Sequence, residues 1–160
     1  MTSPRECGSC TECCHLMAVS EIGKPIFQWC KFCNTNTGCT IYDKRPHSCR
    51  GFQCLWLKDE SIPDDMRPDR CGVLLEDLSE YRLCLGLCSE NRPDAWLGPK
   101  ARAIFSSIAA RGITVGVSVD GGRKRYLLLP FGRTPSDILD DIKRAWIHVE
   151  ECNGVASVHD

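Results

Sequence analysis

Nine of the thirteen cysteines in this chain fall between Cys7 and Cys54. They read C-x2-C-x2-C-C at Cys7, Cys10, Cys13 and Cys14, then C-x2-C at Cys30 and Cys33, then Cys39, Cys49 and Cys54. Core packing does not require such density, because a buried Cys acts as a small hydrophobe and that role favours no repeated two-residue gap. Metal coordination does favour it. Two Cys three positions apart in a tight turn direct both sulfurs at one ion about 2.3 Å away, the knuckle shared by zinc and iron–sulfur sites. A segment folded in this way needs few ladders or helix faces, since closing the site and ordering the chain become one free-energy event.

Structural disulfides are the competing use for so many thiols, and a Cys content of about 8% is near the level that marks a small secreted scaffold. Three features oppose it. The opening residues Met1 to Cys7 contain no apolar signal segment, the count is odd, and the neighbours Cys13 and Cys14 could join only through a vicinal bridge. We therefore expect reduced thiols and a cytoplasmic location. No apolar run approaches the ~20 residues of a membrane span, so no membrane partner is expected. The net charge of -1, with Arg123-Lys124-Arg125 as the densest basic run, argues against a nucleic-acid surface.

At 160 residues the chain should form one domain, or one with an appended half. The pattern predicts an α+β fold. Residues 1–90 form an irregular, metal-stapled, Cys-rich region, and residues 91–160 an α-β-β-α region sharing its core. Residues 15–22 read as a short helix or strand, and residues 34–38 and 62–69 as loops. Leu83, Leu85 and Leu87 alternate with Arg82, Cys84 and Gly86, which predicts a strand and a hairpin with residues 72–76. On a strand Cys84 and Cys88 stand about 13 Å apart, too far to share an ion. From Ser89 to Glu151 no Cys occurs. There the spacing predicts a helix from Pro93 to Arg111 and a strand from Ile113 to Asp120, then a turn at Asp120-Gly121-Gly122 and a strand from Lys124 to Pro130. A last helix is capped by Thr134 or Ser136, with Ile138, Leu139, Ile142, Ala145, Trp146 and Val149 as its stripe.

The block Cys7-x2-Cys10-x2-Cys13-Cys14, followed by Gly38-Cys39-x-Ile41-Tyr42-x2-Arg45-Pro46-x2-Cys49-Arg50-x-Phe52-x-Cys54, resembles the bacterial CxxCxxCC family of zinc- or iron-chelating, cysteine-cluster proteins. The match covers residues 7 to 57. By that resemblance Cys7, Cys10, Cys13, Cys14, Cys39 and Cys49 are metal ligands, and one or two of Cys30, Cys33 and Cys54 complete the set. The family is related to flagellin lysine methylases, but no glycine-rich nucleotide loop is present to support that activity here.

Four thiolates on zinc or a [4Fe–4S] cluster leave a net charge near -2. Arg45 and Arg50 flank Cys49 and could offset it while donating to sulfur, or Arg45 could pair with a surface carboxylate. His15 and His47 adjoin the thiols and are candidate fourth ligands. Trp29, Phe32, Phe52 and Trp56 interleave the cysteines as packing residues. His148, His159 and Cys152 read as inert. Spacing leaves the metal open between an iron–sulfur cluster and Zn2+. Three functions follow: a redox or sensing protein built on the metal, a zinc-stapled module whose second half binds a protein partner, or a metal storage and delivery protein. No catalytic motif is present. Asp64-Asp65 and Asp140-Asp141 read as a loop and a solvated helix face.

Overall fold

The protein is described from a computed structural model covering residues 5–141. The rest of the last predicted helix, with Ile142, Ala145, Trp146 and Val149, lies outside the described residues, as do His148, Cys152 and His159.

Between Arg5 and Gly72 regular structure is sparse. Four helices of four or five residues occur there: α1 (Glu12–Leu16), α2 (His47–Gly51), α3 (Leu55–Lys58) and α4 (Pro68–Cys71). A two-residue ladder joins β1 (Cys33–Asn34) to β2 (Gly38–Cys39). Helices this short gain little from their own hydrogen bonds and depend on tertiary contacts. Arg5 supplies some of these. Its guanidinium donates to the carbonyls of Trp56 (2.7 Å) and Ile62 (2.6 Å), lies 4.7 Å from the Trp56 ring centroid and pairs with Asp64. Residues 62–69, expected as a loop, hold a 3-10 turn (Asp64–Met66) and the start of α4.

Beyond Gly72 a four-stranded sheet follows: β3 (Val73–Leu78), β4 (Leu83–Cys88), β5 (Thr114–Val119) and β6 (Lys124–Leu128), adjacent in that order. The outer pairs are antiparallel and β4–β5 is parallel. A parallel pair needs a crossover, and α5 (Pro99–Ala110) provides it. This helix starts later than the spacing predicts. Trp96 sits in a 3-10 turn (Ala95–Leu97), and Gly98-Pro99 begins α5 with proline in the first turn, where its missing N–H costs nothing. Leu139 of the last helix is exposed; Asp140 is exposed as expected, whereas Asp141 is buried and pairs with Arg133 at 3.1 Å rather than facing solvent.

Strand alternation sorts the sheet into two faces. Val73, Leu75, Cys84, Cys88, Val115 and Val117 share one, and with Ala101, Phe105 and Ile108 of α5 they belong to one buried cluster. The same cluster includes Leu16, Phe27, Leu55 and Trp56, so the Cys-rich segment and the sheet share a core. Leu74, Leu78, Leu83, Leu85, Leu87 and Leu127 occupy the other face, which turns toward the thiols.

Candidate metal centre

The Cys7–Cys10 and Cys30–Cys33 segments are built alike. The Cys10 amide donates to the Cys7 carbonyl at 2.9 Å, and the Cys33 amide to the Cys30 carbonyl at 3.0 Å. Each bond closes a four-residue turn, and Gly8, at φ +53°, supplies the left-handed residue in the first. Cys13 and Cys14 lie on α1, whose first turn is closed by the Cys14 amide on Thr11. Cys33 faces Cys39 across β1–β2, Cys49 is carried on α2, and Cys54 immediately precedes α3.

These elements wall a cleft of about 1080 Å³. Cys7, Cys10, Cys13, Cys14, Cys30, Cys39, Cys49 and Cys54 line it, and the leucine face of the sheet forms the wall opposite. Cys33 is not among the lining residues but is in hydrogen-bonding contact with Cys14. All twelve described cysteines are free thiols.

Cys13 is the electrostatic centre of the group, felt by Cys7, Cys10, Cys14, Cys33, Cys49 and Cys54. A hydrogen bond from the Cys14 thiol pulls Cys13 below the usual thiol range, against burial that opposes it. Cys14 is pushed up because it donates that bond, and burial adds to the effect. Burial pushes Cys10 up to about 12 and also raises Cys7, Cys33, Cys49 and Cys54. Desolvated thiolates repel one another, so one charge in the group raises the cost of the next. A bound cation would remove that penalty by displacing the protons.

The fit to a metal lies in donor chemistry: eight soft sulfur donors around a single cleft suit zinc, copper(I) or iron–sulfur ligation. Among the described residues no three Cys, His, Asp or Glu side chains stand together ready to hold an ion.

Of the two candidate histidines, His47 lines the cleft and His15 does not. His15 is buried, with its ring stacked on Trp29 at 4.6 Å and its Nδ1 without a hydrogen-bond partner. Arg45 reaches the lining; its guanidinium lies 3.6 Å from the Tyr42 ring centroid, its Nε donates to the Tyr42 carbonyl, and its charge favours the Cys7 thiolate. Arg50 is exposed and absent from the lining. Two cations not singled out in the sequence also bear on the thiols. Arg67 grips Asp69 through both carboxylate oxygens (2.6 and 2.5 Å), and its charge is felt at Cys10 and Cys7. Lys24 is buried and lines the cleft. A single Lys between Gly23 and Pro25 carries no pattern that would reveal this.

The remaining described thiols are accounted for by packing. Cys84 and Cys88 are buried on the α5 face of β4, where burial raises them to about 12 and about 11. Cys71 ends α4 and bonds to the carbonyls of Met66 and Val73.

No family model, curated protein or solved structure matches this chain. The resemblance to CxxCxxCC proteins therefore rests on the spacing of Cys7 to Cys54 and its flanking residues.

Proposed function

We propose that this is a metal-binding protein whose clustered thiolates hold an iron–sulfur cluster or Zn2+, with a redox or sensing role. Cys7, Cys10, Cys13, Cys14, Cys30, Cys39, Cys49 and Cys54 would hold the metal, with Cys33 in contact with Cys14. One observation carries this reading: thiols from two turns, two short helices, a strand and a helix entrance all reach one cleft. Packing alone gives no reason for such convergence. A bound cluster would supply one-electron chemistry, and bound zinc would supply a structural clamp. The chain's own part is to bring sulfurs together from segments with little regular structure. Met17, Phe52 and Leu57 line the cleft beside them and limit water.

The second reading is a zinc-stapled module that binds a protein partner. Tyr126 and Leu127 on the edge strand β6, with Phe131 just beyond it, favour this, because all three are exposed.

Anaerobic purification followed by metal and sulfide analysis tests both. A brown protein with inorganic sulfide supports the redox reading, and colourless protein with stoichiometric zinc supports the module. Material holding neither metal would refute both.

A further inference from the structure

Lys24 is only 7% exposed. Its Nζ donates to the carbonyls of His15 (3.2 Å), Pro25 (3.0 Å) and Met17. His15 and Met17 belong to the C-terminal end of α1, the helix that carries Cys13 and Cys14. Lys24 is also held through its backbone, which exchanges two 2.9 Å hydrogen bonds with Val19. All three ammonium protons are therefore used, and the charge sits at a fixed point.

Three neutral carbonyls solvate that charge without neutralising it, and a buried ion without a counter-charge is costly. Among the described residues no carboxylate forms an ion pair with Lys24. Burial pulls the Lys24 ammonium below the ordinary lysine range, and the thiols of Cys30, Cys14, Cys13 and Cys49, when negative, oppose that pull. A lysine serving only to cap α1 could do so from the surface, with its head in water. This one is buried and lines the thiol cleft.

We infer that Lys24 is a built-in counter-cation of the thiolate centre, a positioning residue that favours the anionic, metal-loaded form without ligating the metal. The inference rests on the metal-binding reading above. Because its N–H groups are spent on carbonyls, Lys24 acts on the sulfurs through its field rather than through N–H···S bonds. Removing the charge should weaken metal binding and make the sulfurs better electron donors.

The test is anaerobic titration of the full chain with Co2+ against a competing chelator, following the sulfur-to-cobalt charge-transfer absorption. Lys24→Met, Lys24→Gln and Lys24→Arg are compared with the wild type, and circular dichroism checks the fold. Lys24→Met should bind Co2+ about 10- to 100-fold more weakly, the usual cost of losing a group that supports metal ligands. Its charge-transfer band should move to lower energy, which lost packing alone would not cause. Lys24→Arg should recover most of the affinity. Lys24→Gln retains two donors for the carbonyls and is the neutral variant to read if Lys24→Met does not fold. A folded neutral variant within twofold of wild-type affinity and with an unmoved band would overturn the inference and leave the metal reading intact. Arginine binding as weakly as methionine would also overturn it. A wild-type chain that takes up no Co2+ would remove both.

Discussion

The amide of Cys30 donates to the carbonyl of Cys14 at 2.9 Å, so the second thiol turn hangs from the adjacent-cysteine pair. Cys30 then closes its own turn with Cys33, and Cys33 pairs with Cys39 across β1–β2. Backbone bonds thus link Cys14, Cys30, Cys33 and Cys39 independently of any contact between sulfurs. Residues distant in sequence reach the cleft by this route.

Thiols inside and outside the cleft should respond differently to substitution. Cys13→Ser should lower bound metal per chain, because Cys13 lines the cleft. Cys84→Ser should leave metal content unchanged but cost about 1 to 3 kcal/mol of stability, since it places a hydroxyl in a buried apolar site. Metal analysis and urea denaturation of both variants check this.

Phe27 packs against the β5–β6 turn, joining the Cys-rich segment to the sheet. A Cβ on Gly122 would stand 3.1 Å from the Phe27 ring, and Gly122 has φ +86°. Gly122→Ala should therefore destabilise the protein by about 1 to 3 kcal/mol, from backbone strain and crowding together. Gly23→Ala is the control: it shares the positive φ but meets no atom within 4 Å, so it should cost less. Denaturation midpoints of the two variants give the comparison.

The last helix should show a pH-dependent cap. Thr134 donates to Asp137 through both its hydroxyl and its amide, each at 2.7 Å. The hydroxyl bond first, then the amide, holds the Asp137 carboxyl below the usual range. Its folded value lies below its unfolded one, so the contribution is present above the unfolded value of about 3.9 and is lost as pH falls through the folded value. Asp137→Asn should therefore be less stable than wild type at pH 7, and the difference should shrink at pH 3. Paired denaturation curves at the two pH values test it.

Where a feature depends on neighbouring residues alone, the sequence was informative. The Asp120-Gly121-Gly122 turn and the strands beside it follow from local backbone freedom and alternation, and the C-x2-C turns follow from their spacing. The parallel pairing of β4 with β5 depends on where α5 crosses the sheet, which periodicity does not encode. Nor does it encode the roles of Lys24, Arg67 and Asp141. Each is an ordinary polar residue in sequence; Arg67 and Asp141 pair with near neighbours, Asp69 and Arg133, and no periodic pattern marks which polar residues will do so or that Lys24 will be buried. Arg50 shows the converse: adjacency to Cys49 in sequence did not bring it to the cleft, because α2 leaves it exposed.

Hydrogen exchange with and without metal tests the central claim most directly. The anaerobic full chain is compared before and after removal of metal by a chelator under reducing conditions, peptide by peptide. Amides in residues 7–58 should lose protection when metal leaves, while those in β4 and β5 remain the slowest to exchange. Equal protection of residues 7–58 in both states would show that the thiols need no metal to hold their arrangement, and would contradict that claim.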